Sequence, residues 1–89
     1  MLKILLEKAF KKDIKKYKNN KKVEKIVNET IEKLLQNKPL EEKYKNHPLK
    51  GGWAPAFDCH IMPDVILIYQ ITKTELRLIR LGSHSDLFN

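Results

Sequence analysis

One cysteine, three glycines and one tryptophan are all that this 89-residue chain holds of those residues, and each scarcity closes off a class of chemistry. With Cys59 alone, neither an intrachain disulfide nor a thiolate zinc site can form, which points to a reducing compartment. So few glycines leave no Gly-rich phosphate loop, and no GxSxG elbow occurs. No apolar stretch approaches the roughly 20 residues of a transmembrane helix. The apolar run within Met1–Phe10 is too short for a signal peptide. A cytoplasmic location with no membrane contact is therefore expected. A chain this short is expected to be a single domain, residues 1–89, burying roughly 60–70% of its unfolded surface around one modest core.

Acidic residues are scarce in one part of the chain only. The formal net charge is +7, but residues 1–50 carry fifteen Lys against seven Asp and Glu (+8), and residues 51–89 carry three basic against four acidic residues (−1). A lysine-rich surface attracts polyanions through counterion release, with no sequence preference of its own. The plainer account of the same lysines is a solubilising surface, and the concentration of charge in half the chain favours a polyanionic partner.

Along the chain, Leu2–Leu6 is short and apolar enough to form a strand. Phe10, Ile14 and Tyr17 then fall at helical spacing among lysines, and Asn19-Asn20 breaks the pattern. Val23, Ile26, Val27, Thr30, Ile31, Leu34 and Leu35 make a broad apolar stripe on a second helix ending near Asn37, before Pro39. The two helices are expected to form an antiparallel hairpin that lays its apolar faces on a sheet. From Pro39 to Pro55 periodicity fails and a long loop is expected, with Trp53 plugging the edge of the core. Strands are expected near 53–60, 64–71 and 75–81 as an antiparallel meander, the last two joined around Thr72-Lys73-Thr74. The run Val65–Ile71 predicts a central strand covered on both faces.

Chemistry and core meet at Phe57–Asp64. Alternation puts Asp58 and His60 on one side of the sheet as a paired acid and imidazole, and Cys59 on the other, which disfavours a Cys–His nucleophile pair. The three histidines, His47, His60 and His84, all fall in the second part of the chain and could converge. Imidazole titrates near neutrality and is the natural proton carrier at cellular pH. Asp58 or Asp64 could orient it or accept a proton, and Arg80 could neutralise a phosphate. Singly, each has an ordinary explanation: His60 a half-buried strand residue, Asp64 a turn former after Pro63, Arg80 a surface charge. No spacing resembles HExxH or another pair of metal ligands on one element.

The series His47-Pro48-Leu49-Lys50-Gly51, Trp53, Asp58-Cys59-His60-Ile61-Met62-Pro63-Asp64 and Arg80-Leu81-Gly82-Ser83-His84-Ser85-Asp86-Leu87-Phe88 resembles the YafQ-like branch of the RelE-type toxins of bacterial toxin–antitoxin systems. The resemblance covers essentially the whole domain. It implies an α+β, RelE-like microbial ribonuclease toxin fold, with an N-terminal strand and helical hairpin packed on a curved antiparallel sheet. It also implies a ribosome-dependent endoribonuclease that cuts messenger RNA by metal-free acid/base catalysis, needing no cofactor, with His47, Asp58, His60, Asp64, His84 and Phe88 as functional positions and Arg80 assisting. Lys11, Lys12, Lys15, Lys16 and Lys50 are the expected RNA contacts. The expected partners are a cognate antitoxin, messenger RNA and the ribosome, with DNA bound only through the toxin–antitoxin complex. The family commonly has Arg where this chain has Phe57, so a phosphate contact is expected to be missing. A second reading, from charge alone, is a non-catalytic basic module that binds RNA or DNA.

Overall fold

The computed structural model describes residues 2–88, built around a five-stranded sheet. Its strands are β1 (Lys3–Leu6), β2 (His47–Pro48), β3 (Phe57–Met62), β4 (Val65–Ile71) and β5 (Glu75–Gly82), in the spatial order β1-β5-β4-β3-β2. β4 is the middle strand, as its apolar run requires: Ile66, Leu67 and Ile68 are 0% exposed, with side chains passing alternately to the two faces. β3, β4 and β5 form the expected antiparallel meander. The turn from β4 to β5 is closed by Thr72, whose Oγ1 accepts from the Glu75 amide at 3.0 Å.

The N-terminal strand, whose direction the sequence left open, makes the sheet mixed. β1 runs parallel to β5, from Lys3 opposite Glu75 to Leu6 opposite Leu78. Parallel neighbours cannot be joined by a tight turn. The rest of the chain lies between them, and no local pattern in β1 marks its direction.

The helices are α1 (Lys8–Lys15), α2 (Lys21–Leu35) and α3 (His84–Phe88). α2 starts where Asn20 accepts from the Val23 amide at 3.1 Å, a side-chain cap for an otherwise unpaired helix N–H. It buries Val23, Val27, Thr30 and Leu34, one stripe at helical spacing, and ends with Asn37 at φ 58°, a left-handed conformation that asparagine tolerates. Tyr17 lies just past α1, in the turn. α1 packs chiefly on β5 and α2 on β3, so both helices use the sheet as their main apolar partner.

The sheet has a core on each face. The helices cover Cys59, Ile61, Leu67, Tyr69, Leu76, Leu78 and Leu81. On the opposite face Ile66 and Ile68 meet Ala56 and Leu87, with Trp53, Leu49 and Ile79 against them. Trp53 thus fills the core edge as expected. Between Pro39 and Pro55, where a loop was expected, lie two short 3-10 turns, Glu42–Tyr44 and Gly51–Trp53, and the two-residue strand β2, too short for any periodicity to announce. β3 starts at Phe57, later than expected.

Candidate active site

The face of the sheet away from α1 and α2 carries the titratable residues. His47 sits opposite Asp58 in the β2–β3 pairing, and its Nδ1 lies against Asp58 Oδ1. That oxygen is buried and has no other partner. The Asp58 side chain is 5% exposed and the imidazole 61% exposed. A carboxylate at Nδ1 favours a proton there, which leaves Nε2 of the neutral ring as an open base. The acid–imidazole pair is therefore Asp58 with His47, whereas the sequence pairs Asp58 with His60. Asn46 fixes this corner: its side-chain nitrogen donates to the Asp58 carbonyl at 2.9 Å and to the Tyr69 hydroxyl at 2.6 Å.

His60 pairs with the other histidine. Its ring centroid is 6.1 Å from that of His84, which lies 5.4 Å from Phe88, and Phe88 meets Trp53 edge-on at 6.0 Å. His84 opens α3, a helix the sequence reading did not anticipate. Its start is nevertheless written locally: Ser83 Oγ accepts from the Asp86 amide at 3.1 Å, and Asp86 reaches back toward the Ser83 amide at 3.5 Å, a reciprocal capping pattern. Asp64, in the turn between β3 and β4, accepts from the His84 amide at 3.3 Å. Its carboxylate thus orients the histidine through the backbone. Gly82 permits the approach of α3: a Cβ there would stand 3.3 Å from Asp86 and 3.4 Å from Leu87.

Arg80 is less free than the sequence suggests. Its Nε donates to Asp13 Oδ2 at 2.7 Å and its Nη2 to Asp13 Oδ1 at 3.2 Å, and the Leu81 amide also donates to Oδ2, at 2.9 Å. This clamp holds the guanidinium pKa above its usual value. Register puts Arg80 and Asp58 on one row, both opposite Ile68, so Arg80 keeps its place on the histidine face while anchored to α1. Asp13 is the residue that sequence reasoning missed. A lone acid among the lysines of α1 was its only signal in the sequence, and the structure buries it.

Phe57 and Cys59 point the other way. Phe57 stacks on Tyr69 at 6.1 Å, on the helix-covered face, so position 57 does not face the histidines. Burial, with the Asp58 charge second, pushes the Cys59 thiol up to about 12. Lys11, Lys12, Lys15, Lys16 and Lys50 are all exposed. Among the described residues no group of three or more His, Cys, Asp or Glu side chains is gathered to hold a metal ion, and no helix is long and apolar enough to cross a membrane.

Fold and site together define a small basic α+β domain with histidine and aspartate side chains gathered on one sheet face. The family described as "Bacterial toxin of type II toxin-antitoxin system, YafQ" matches residues 2–89, and the chain belongs to that family. It is 39% identical over 83 residues to the mRNA interferase toxin YafQ of Escherichia coli K12, covering 89% of this chain and 87% of that one. Among solved structures it resembles a copper-bound mutant toxin from Helicobacter pylori, at TM-score 0.92 and 46% identity over 99% of this chain and 100% of that one. It also resembles the E. coli DinJ–YafQ complex, at TM-score 0.89 and 36% identity over 100% of both chains.

Proposed function

We propose that this toxin is an endoribonuclease that cuts messenger RNA on the ribosome, by proton transfer between histidines and substrate, and that a small antitoxin restrains it. The observation that carries this reading is the pairing of His60 with His84 beside the Asp58–His47 pair on one accessible face. Cleavage of RNA by its own 2′-oxygen needs two proton transfers: a base removes the 2′-hydroxyl proton as that oxygen attacks phosphorus, and an acid protonates the departing 5′-oxygen. A cyclic phosphate and a 5′-hydroxyl result. Two imidazoles on one face supply both transfers without a metal.

His60 and His84 are the favoured proton carriers. Asp64 orients His84 through its amide, and Asp58 holds His47, a further acid/base or phosphate ligand. Arg80, anchored by Asp13, contributes positive charge toward the phosphate row. Phe88 lies against the His84 ring and is 37% exposed, which suits a base-stacking role. The lysines of α1 and Lys50 draw in the polyanion. Homology supports the substrate class, since the E. coli relative bears the name mRNA interferase, and supports the partner, since YafQ there is bound to DinJ. Ends of RNA recovered from a translation reaction test the reading. Cuts bearing 5′-hydroxyls, absent with His84→Ala, are expected; inhibited translation with an intact message would leave only a binding role.

A further inference from the structure

The open edge of β1 is the part of the sheet that the proposed site leaves unused. Among the described residues β1 pairs only with β5, and Ile4, Leu5 and Leu6 are 47%, 39% and 39% exposed. Soluble proteins ordinarily avoid apolar side chains along an unpaired edge, because such an edge is a template for another strand.

The backbone fixes which residues can pair. The Lys3 amide donates to the Thr74 carbonyl at 2.9 Å and the Glu7 amide to the Leu78 carbonyl at 3.0 Å. In a parallel ladder such inward-bonding residues alternate with outward ones, so Lys3, Leu5 and Glu7 direct their groups at β5, while Ile4 and Leu6 turn their N–H and C=O groups outward. Glu7 is still extended, at φ −67° and ψ 153°, and its side chain makes no cap for α1. Lys3, Leu5 and Glu7 therefore share one face of the strand, and Ile4 and Leu6 the other. On β5, Glu75 lies beside Lys3 but is already held by Arg77 at 3.1 Å.

We infer that this edge is a self-association surface, taking β1 of a second copy of the chain in antiparallel register about a two-fold axis at Leu5. Antiparallel strands exchange hydrogen bonds only where both facing residues point outward, which restricts the bonded pairs to Ile4 and Leu6. With Ile4 opposite Leu6 of the second copy, Leu5 meets Leu5 on the axis and Lys3 comes opposite Glu7 at both ends. Either neighbouring register, Ile4 on Ile4 or Leu6 on Leu6, sets Lys3 or Glu7 against Leu5 and loses both ion pairs. The stretch Lys3-Ile4-Leu5-Leu6-Glu7 is thus complementary to its own reverse in charge as in pattern, as an isologous interface requires. A segment this short falls well below the roughly 20–30 residues a side of a stable interface, and each chain carries +7, so the dimer is weak and fills at high concentration.

Charge exchange tests the register. Sedimentation velocity of the isolated chain, over a roughly hundredfold concentration range reaching about millimolar, should show a monomer–dimer equilibrium. Lys3→Glu and Glu7→Lys, each alone, set like charges opposite at both ends and should weaken the dimer roughly fivefold or more. An equimolar mixture of the two variants restores both ion pairs at an unchanged average net charge and should dimerise as the parent does, as should the chain carrying both changes. Melting curves close to the parent's separate a lost dimer from a lost fold. In the parent, which needs no substitution, the Ile4 and Leu6 amides should exchange with deuterium more slowly as concentration rises, and the Leu5 amide, bonded to β5, should not respond. A parent that stays monomeric, a dimer indifferent to Lys3→Glu, or variants that do not recover on mixing would overturn the inference. Protection of Ile4 and Leu6 that appears only with an acidic antitoxin bound would give the edge to that partner and overturn it equally.

Discussion

His84 is the residue on which the account leans most. Its side chain is exposed at the start of α3, so the fold does not need the ring, yet the ring lies against both His60 and Phe88. His84→Ala should lower cleavage ~10²–10⁴-fold, the usual cost of losing an acid/base group. The melting temperature should stay within a degree or two of the parent, measured on the same preparation. Cys59 gives the opposite case, a titratable group with no exposure. It is 0% exposed and its pKa stands near 12, so iodoacetamide should leave it unmodified in the folded chain at pH 8 and alkylate it once urea unfolds the protein. Burial also pushes Tyr69 up to about 12, despite the Asn46 hydrogen bond that acts the other way. Unfolded, the thiol ionises near 9 and the phenol near 10, so above these values the folded state holds more protons than the unfolded one. Stability contributed by these groups is complete below pH 9 and is lost as pH rises toward 12. Urea midpoints at pH 8, 10 and 11 should fall in that order.

At the scale of elements, what the sequence made legible followed the length of the pattern. α2 carries a long apolar periodicity and β4 an unbroken apolar run, and both lie where those patterns put them. β2 has two residues and α3 five, too few to repeat anything, and the two site histidines that lie outside β3 sit on these elements. The sequence could show that His47 and His84 were of the right type; only pairing with β3 and docking over Gly82 bring them to the face that holds Asp58 and His60. Likewise the Arg80 clamp joins α1 to β5 across the fold, and no local pattern could reveal it. Face assignment by alternation succeeded for Asp58, His60 and Cys59 and, applied one residue back, already implied that Phe57 looks away from the site. α3 should be the most easily disturbed element, because it is short and depends on its cap. Ser83→Ala should cost about 0.5–2 kcal/mol where it acts and shift His84. Activity should therefore fall further than the change in urea midpoint alone accounts for, with circular dichroism otherwise unchanged.

The whole molecule is electrically lopsided, and its function as proposed uses that asymmetry. Of the +8 of residues 1–50, half lies on α1 and α2, which cover one side of the sheet, and half on the segments around them, while His60, His84 and the −1 of residues 51–89 belong to the later strands and α3. Attraction is thus carried mostly by the first half of the chain and chemistry mostly by the second, with His47 the exception. Replacing Lys11, Lys12, Lys15 and Lys16 with Gln should weaken binding to ribosomes or RNA and flatten its salt dependence while turnover at saturation persists. The same cations suit an acidic antitoxin segment, and β1 offers a strand edge flanked by exposed Ile4, Leu5 and Leu6 to which an added strand could pair. Co-expression with a cognate acidic antitoxin should give a complex that purifies intact and no longer cuts RNA.

The central claim, that this face of the sheet cleaves messenger RNA through its histidines, is tested most directly by one translation reaction. Message recovered after adding the purified chain would be analysed for new ends, beside the folded His84→Ala chain. The account predicts discrete internal cuts with 5′-hydroxyls and cyclic or opened 3′-phosphates from the parent, and an intact message from the variant. Equal cutting by both chains, or arrested translation with no cut at all, would contradict it.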